Sequence, residues 1–480
     1  MGSNVRVDLN MTLREPSQEE SSGPAESLPL RESRMLFFAL GLYLLAQAFM
    51  IPVRAVGPSW AIWPTLADLA LFMLCLAFLP YSSMGSKVIS HANKAVFKNL
   101  LIVFFGAALS YLVFIRFYPG WNTDAAFDSS NVVFGAFQLY RLAQFILIFW
   151  IVAQIPLTEK RLSTLGRIVD GAFIFTIATV LLTYFDILPK SALVAHLPSD
   201  ISVAGPWVFY STNFAGKGWG TIGYNHAYVA AQLLMLAALR MHLSPASKAF
   251  TNGVLLLLTM LAIFMSGSRA GLAAALLFAV TVLRKKPIYI VTIVVVGAIA
   301  VLVSMSLTGV LSSSDGFVSL IGSTFERQLT LGSAYEADNL SGRDTIWTDY
   351  VVRLNEAPKR WLLGSGFGAA SGKNAHLLYL QIVYEVGLIG LAVFAGLIYK
   401  VLSYLKFYER GIRPIYWATI AFLLSGLSQE TFYPVPSFGH FLGFYLCSLA
   451  IALRLCEADE IEQVRGTDCG ACAEPASRAC

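Results

Sequence analysis

Repeated apolar stretches of about 20 residues are the feature that most constrains this chain, because each is long enough for a helix to cross a membrane. Of the 480 residues, 56% are hydrophobic and only 13% are charged, whereas an ordinary soluble domain is about 25% charged. The pattern predicts an all-α polytopic membrane protein with about 12 transmembrane helices. We expect spans near 35–53, 61–80, 99–118, 135–156, 168–187, 221–239, 250–266, 270–283, 287–307, 380–399, 414–428 and 439–455.

The two ends of the chain differ from this membrane domain, which we place at 35–455. Residues 1–34 are polar, mixed in charge and contain several prolines, which predicts a disordered cytoplasmic tail. Residues 456–480 form a second polar tail that we also place in the cytoplasm. Its Cys469 and Cys472 have the spacing of zinc ligands, but a lone pair in a segment of small residues favours an inert tail.

Basic residues lie mainly in alternate loops, which is the pattern of loops that stay in the cytoplasm. They cluster in loops 81–98, 157–167, 240–249, 284–286 and 400–413. This orientation puts both termini inside and the long loop 308–379 outside. A site on that loop would work at the outer face, without cytosolic nucleotides. The net charge of +5 is therefore a property of short membrane loops and does not indicate a nucleic-acid partner.

Loop 308–379 is too long for a plain connector, and it contains a predicted helix at about 341–356. Apolar residues repeat along that helix with helical spacing. We expect the helix to lie along the outer membrane surface over a cavity, with an apolar face made by Ile346, Trp347, Tyr350, Val351 and Leu354. A glycine-rich turn at 364–368, expected to be flexible, follows it.

Two arginines are candidates for holding an anion. Arg269 stands at a tight Ser/Gly-rich turn between two spans, where Ser268 and the following helix N-terminus offer backbone donors. Arg343 begins the predicted loop helix, one turn before Trp347. Two guanidinium groups facing a diphosphate would make bidentate, charge-assisted hydrogen bonds. The plainer alternatives are an arginine that reaches lipid phosphates and an exposed residue at a helix start.

His376 is the candidate base, because imidazole is the side chain best matched to proton transfer near neutral pH. A sugar hydroxyl needs such help to attack an anomeric carbon. The alternative is a histidine that is hydrogen-bonded at a helix start. His226 and Glu430 lie near the outer ends of spans and are further candidates for donor or acceptor contacts. For both, the alternative is plain solvation in a loop.

Arg141 falls within a predicted span, where a charge usually faces a cavity or a partner. It could reach a lipid diphosphate, or pair with Asp68 or Asp170. Glu336 and Asp338 resemble an acidic pair that holds a divalent ion. One short match in a polar loop is better explained by chance, so we predict neither a metal site nor a cofactor.

This ordered set of motifs resembles the O-antigen ligase family, which includes related polysaccharide polymerases. The resemblance covers roughly residues 250–400. It rests on Ser268-Arg269-Ala270-Gly271 at the start of a span, Gly342-Arg343 followed by Trp347, Pro358, Gly364-Ser365-Gly366-Phe367-Gly368, His376, Tyr379-Leu380 and Glu385-Val386-Gly387-Leu388-Ile389-Gly390.

The resemblance implies a polytopic glycosyltransferase of the GT-C type. Such an enzyme takes a glycan from undecaprenyl diphosphate and transfers it to an acceptor hydroxyl at the periplasmic face of the bacterial inner membrane. This happens in lipopolysaccharide or exopolysaccharide biosynthesis. It implies inverting, metal-independent chemistry, with Arg269 and Arg343 on the diphosphate and His376 as the base. The family often has Asn directly after this histidine, whereas Leu377 follows it here.

Two other functions stay open. A polymerase of lipid-linked repeat units would use the same donor chemistry as a ligase. A transporter of polysaccharide or lipid would also need many spans, but it predicts related halves and a site near the middle of the membrane. We find no internal repeat in the sequence, which favours an enzyme.

Overall fold

The structure is a computed structural model. It describes residues 34–50, 53, 64–84, 89–117, 131–196, 217–221, 226–243, 249–284, 288, 322, 324, 328, 343–370, 375–406, 413–434 and 441–455. Every regular element within these ranges is helical, as the sequence predicts. The tails 1–33 and 456–480, most of the predicted span 287–307 and most of 308–342 lie outside the described residues.

The helices are α1 (Arg34–Ala46), α2 (Leu66–Phe78), α3 (His91–Phe117), α4 (Asn131–Val152), α5 (Glu159–Tyr184), α6 (Lys190–Val194), α7 (His226–Leu243), α8 (Ala249–Ser266), α9 (Arg269–Leu283), α10 (Arg343–Asn355), α11 (Lys359–Leu363), α12 (Leu378–Leu405), α13 (Pro414–Ser425) and α14 (Phe441–Leu455). A short 3₁₀ helix, Leu79–Met84, follows α2.

Within the described residues, four helices are long and apolar enough to cross a membrane, and seven shorter apolar helices of 10–17 residues accompany them. The four are His91–Arg116, Val132–Val152, Glu159–Tyr184 and Leu378–Leu405. Along α3, the side chains of Ile102, Phe105, Leu109 and Leu112 are each more than half exposed. Large apolar surfaces of this kind are unusual in contact with water. These helices therefore have the length and composition of membrane spans and are compatible with a membrane protein.

Helix α7 lies at the centre of the described bundle. Every residue from Tyr228 to Leu239 is buried, and the helix packs against α5, α8, α9 and α13. A helix that is apolar on all sides is stable only when other helices surround it. The one glutamine in this stretch, Gln232, donates from Nε2 to the carbonyl oxygen of Gln47 at 2.6 Å. Helix α7 is thus the central helix around which α5, α8, α9 and α13 are packed.

The loop helix α10 packs on the first half of α12. Tyr350 and Leu354 of α10 are buried in a small apolar cluster with Tyr384. The rings of Tyr350 and Tyr384 stack with their centroids 3.9 Å apart. Val351, also on the predicted apolar face, is 37% exposed. Val351 lies about 100° around the helix from Tyr350, which turns it out of the packed stripe.

Helix α12 is broken at Gly387, whose φ of 73° and ψ of −177° are not helical. The break leaves carbonyl groups without their helical partners, and a second segment supplies donors instead. The N–H of Ser365 donates to the carbonyl oxygen of Tyr384 at 2.7 Å, and that of Gly366 donates to Glu385 at 3.0 Å. Backbone groups in a membrane must be satisfied in this way when a helix is interrupted.

The glycine-rich turn at 364–368 is therefore packed, and the expectation of a flexible turn is wrong. A Cβ atom on Gly364 would lie 2.4 Å from the backbone carbon of Glu385, and one on Gly366 would lie 2.2 Å from Cβ of Phe114. The glycines permit this close approach and their positive φ angles. The turn and the broken helix consequently form one unit.

Candidate functional site

Several parts of the chain meet at residues 426–431, which we call the 426–431 turn. The N–H of Leu378, at the start of α12, donates to the carbonyl oxygen of Gly426 at 2.8 Å. The hydroxyl of Tyr228, on α7, donates to the carbonyl oxygen of Glu430 at 3.4 Å. The turn follows α13 and contacts both the central helix α7 and the start of α12, which lies directly after the predicted base His376.

Arg343 binds this turn from α10. Its Nη1 donates to the carbonyl oxygen of Ser428 at 3.2 Å and to Oγ of the same residue at 3.0 Å. The side chain is half-buried, because it stands at the first position of α10, above the packed Tyr350. The guanidinium is thus anchored through Nη1 to both polar groups of Ser428.

His376 has an unusual backbone conformation, with a φ of 50°. Non-glycine residues adopt positive φ only where the surroundings enforce it, and such residues are often found at functional sites. The preceding Ala375 is fixed on both sides. Its N–H donates to Oε1 of Gln381 at 2.8 Å, and its carbonyl oxygen accepts from Nε1 of Trp347 at 2.6 Å. Trp347, a predicted contact residue, therefore helps to hold the histidine in place.

The imidazole of His376 lies against Glu430. Nδ1 is 3.5 Å from Oε2 of Glu430, and the two side chains are 32% and 0% exposed. This separation is longer than a strong hydrogen bond, as is common for a catalytic pair without its substrate. Because Nδ1 is buried against the carboxylate, the exposed part of the ring lies away from that atom. Nε2 is thus the nitrogen left for a substrate.

The start of α9 packs beside the same turn. Ser268 is the N-cap of α9, and its Oγ accepts from the N–H of Gly271 at 3.1 Å. Ala270 and Gly271 line a small cavity together with Gln429. Arg269 is the first residue of α9 and is half-buried. The structure therefore brings Arg343 and His376 into contact with the turn that contains Glu430. It also places the start of α9, which carries Arg269, beside this turn.

Arg141 lies elsewhere in the bundle. It is fully buried, forms an ion pair with Asp68 of α2, and donates to Oε1 of Gln144 at 3.0 Å. Of the two partners that the sequence allows, the structure selects Asp68, whereas Asp170 pairs with Arg240. The contacts of Arg141 described here hold α4 to α2.

Other predicted residues fall outside what can be described. His226 begins α7, but its side chain lies outside the described residues. So do Glu336, Asp338 and both tail cysteines. Within the described ranges, no group of three or more His, Cys, Asp or Glu side chains is arranged to hold a metal ion.

Sequence reasoning missed Glu385, Ser428 and Tyr433. Glu385 is completely buried in α12, and the hydroxyl of Tyr433 donates to its Oε2 at 2.5 Å. A carboxylate inside a predicted span is a signal of function or of a buried partner, and that signal was present in the sequence. Ser428 carries no such signal, because it acts through a backbone carbonyl as well as its hydroxyl.

One nearby phenol can be set aside as an acid or base. Burial raises the pKa of Tyr350 well above its ordinary value, and the neighbouring Tyr384 and Glu385 raise it further. A phenol with a raised pKa stays neutral throughout the physiological range. Tyr350 therefore packs α10 on α12 as a neutral phenol.

An apolar cavity of about 770 Å³ adjoins the site. Its walls run from Val96 to Phe114 on α3 and from Ile382 to Val401 on α12, a length of about 27 Å at 1.5 Å per residue. This is close to the hydrocarbon thickness of a bilayer, about 30 Å. One end reaches Phe432, beside the 426–431 turn. On the α3 wall, Ile102, Leu109 and Val113 are 56%, 64% and 43% exposed, so the cavity is partly open along this side.

Comparison with models of known protein families and with curated proteins gives no match for this chain. Its chemistry is therefore read from the site itself. An imidazole with one nitrogen on a buried carboxylate can take a proton from a hydroxyl. An anchored guanidinium beside it can hold an anion, and a membrane-length apolar cavity suits a lipid chain.

Proposed function

We propose that this protein is a membrane glycosyltransferase that transfers a glycan from undecaprenyl diphosphate to an acceptor hydroxyl. The contact that supports this most directly is that of His376 with buried Glu430, because Arg343 binds the same turn two residues away. In this proposal the chain has about 12 spans and a GT-C-like arrangement. Both termini lie in the cytoplasm and the site faces the periplasm of the bacterial inner membrane.

The proposed reaction is a single displacement with inversion. The acceptor hydroxyl gives its proton to Nε2 of His376 while its oxygen forms a bond to the anomeric carbon. The bond from that carbon to the diphosphate oxygen breaks, and the electron pair leaves with the diphosphate. Glu430 stabilises the imidazolium that forms, in the way that a buried carboxylate orients a catalytic histidine. Arg343 and Arg269 stabilise the departing charge.

The apolar cavity supports a lipid-linked donor over a soluble one. A diphosphate held at the 426–431 turn has its hydrocarbon chain within reach of the cavity end at Phe432. The partly open side along α3 would let the chain enter from the bilayer. A ligase and a polymerase share this donor machinery and differ in the acceptor, which is a lipid core in one and another lipid-linked repeat in the other.

The glycan profile of cells that lack the protein tests this proposal. Long polymer left on the lipid carrier would identify a ligase, and single repeats without long chains would identify a polymerase. An unchanged profile in cells that make such glycans would reject both and return a transporter to consideration.

Complementation of those cells separates the roles of two arginines on α10. We expect Arg343→Gln to fail to restore the profile, because the neutral side chain cannot stabilise the diphosphate; a lost charge-assisted contact reduces transfer by about 10-fold to 100-fold. Arg353→Gln is the matched control, since Arg353 pairs with Asp349 on the same helix at 3.0 Å. Equal protein levels with full activity of Arg343→Gln would contradict the diphosphate assignment.

Two glycines test whether the cavity holds the lipid chain. Gly106 lines the cavity, whereas Gly396 does not, and a Cβ atom at either position meets nothing within 4 Å. We expect Gly106→Leu to raise the KM for the lipid-linked donor about 10-fold with little change in kcat, because it removes binding shared by ground and transition states. Gly396→Leu should leave both constants unchanged. The KM for a donor analogue with a short carrier chain should be less affected by Gly106→Leu. Identical KM values of the two variants for the full-length donor would reject the cavity as the site of the lipid chain.

A further inference from the structure

Glu385 is the most heavily hydrogen-bonded side chain in the described part of the site region. It is 0% exposed, and five donors converge on its carboxylate. Oε2 accepts from Nε2 of Gln138 at 3.0 Å, from the N–H of Gly368 at 3.1 Å and from the Tyr433 hydroxyl at 2.5 Å. Oε1 accepts from the N–H of Ala370 at 3.2 Å and from Nε2 of Gln381 at 3.1 Å.

At least three of these contacts must be accepted by the carboxyl oxygens of Glu385. Two of the donors are backbone N–H groups, which can only donate. The amide of Gln381 is oriented by the N–H of Ala375, which occupies its oxygen, so its nitrogen must face Glu385. From the two carboxyl oxygens, hydrogen bonds lead in two directions.

The first direction leads to His376. Oε1 of Glu385 accepts a hydrogen bond from Nε2 of Gln381, and Oε1 of Gln381 accepts one from the N–H of Ala375. Ala375 is the residue directly before His376. Glu385 therefore supports, through one side chain, the peptide that carries the histidine in its left-handed conformation.

The second direction leads to Glu430. Oε2 of Glu385 is hydrogen-bonded to the hydroxyl of Tyr433, and the N–H of Tyr433 donates to the carbonyl oxygen of Glu430 at 3.0 Å. The two oxygens of one carboxylate thus reach the two members of the His376–Glu430 pair by separate short paths. The paths come from α12 and from the segment after α13, which are far apart in the sequence.

We infer that Glu385 is a positioning residue that sets the separation between His376 and Glu430. The inference rests on the proposed function, because the separation matters only if His376 moves a proton. Glu385 itself is completely buried, and the five hydrogen bonds described for it go to groups other than the imidazole. A purely structural role, in which Glu385 only anchors the 364–370 backbone, is the alternative that the test must separate.

Tyr433→Phe removes one path and leaves the rest of the side chain in place. The matched control is Tyr184→Phe, which removes another buried hydroxyl, bonded at 2.9 Å to Thr324. We expect Tyr433→Phe to lower kcat about 10-fold at unchanged donor KM, as for a contact that matters only in the transition state. Tyr184→Phe should change neither constant. If Tyr433→Phe does not fold, Gln381→Met tests the other path.

A double-mutant cycle separates positioning from structure. In a His376→Ala background, Tyr433→Phe should cost nothing further, because residues that act as a unit are non-additive. The same 10-fold loss in both backgrounds would overturn the inference.

A second readout does not depend on turnover. Diethyl pyrocarbonate modifies accessible imidazoles, and the rate at His376 can be followed by mass spectrometry of its peptide. We expect Tyr433→Phe to change this rate several-fold and Tyr184→Phe to leave it unchanged. Absence of transfer by the unaltered protein, with a changed modification rate, would reject the proposed function and keep the positioning role. Normal transfer, together with an unchanged modification rate at His376 and additive effects in the double-mutant cycle, would keep the proposed function and reject the positioning role.

Discussion

Replacing His376 with alanine is expected to lower the rate of glycan transfer by about 10²–10⁴-fold, the usual contribution of a positioned general base. The acceptor hydroxyl would then have to lose its proton to water. Folding and donor binding should persist, because the imidazole is 32% exposed and the residue before it is held through backbone groups. The measurement is the initial rate with lipid-linked glycan in reconstituted membranes, together with donor binding by the same preparation.

Two further variants make this result specific. His91→Ala removes a histidine at the far start of α3, where its ring lies 6.2 Å from that of Tyr404, and should transfer normally. Glu430→Gln keeps the shape of the partner but removes its charge, and we expect a loss of about 10-fold or more, since the imidazolium is no longer stabilised. Normal turnover by His376→Ala would reject the base assignment.

Replacing Gly387 with alanine is expected to destabilise the protein by about 4 kcal/mol or more, which is exceptional for one methyl group. The φ and ψ angles of Gly387 belong to a region that only glycine occupies readily. A Cβ atom there would also lie 2.1 Å from the carbonyl oxygen of Leu362 and 2.6 Å from the nitrogen of Gly364. Neither neighbour is a flexible side-chain tip, so the backbone itself would have to move.

Gly396→Ala is the control on the same helix, because its Cβ meets nothing within 4 Å. Alanine there should be neutral or stabilising by up to about 1 kcal/mol, the difference in helix propensity. Thermal unfolding in lipid nanodiscs, with the yield of monodisperse protein, compares the two. Unfolding of both variants at the same temperature would show that the break at Gly387 is not needed for stability.

The helices themselves follow closely from the sequence. The predicted arms 250–266 and 270–283 correspond to Ala249–Ser266 and Arg269–Leu283, because apolar length and a serine cap both mark their ends. The predicted span 168–187 begins nine residues later than α5, which starts at Glu159. Its first turns are polar and extend beyond the apolar stretch, held by the N-cap Thr158, so hydropathy alone places that boundary too late.

The site was predictable in its residue types but not in its connections. Arg343 and His376 were singled out because their chemistry suits a diphosphate and a hydroxyl. Nothing local indicates that Ser428 receives the guanidinium 85 residues away, or that Tyr433 reaches Glu385 across 48 residues. Such contacts depend on how α10, α12 and the segment after α13 pack, and a single sequence carries no direct record of that packing. The break at Gly387 was not predictable either, because glycine is common in membrane helices and does not by itself mark an interruption.

The docking of the 364–368 turn into the break of α12 limits how this protein can move. The carbonyls of Tyr384 and Glu385 are satisfied by the turn, so pulling the turn away would strand polar groups where no water replaces them. Under the proposed function, a bulky acceptor is therefore not admitted by the turn swinging open alone. If the turn moves, α11 and the first half of α12 must move with it as one rigid body. The flexible points then lie at the borders of that body, where α10 meets the 426–431 turn.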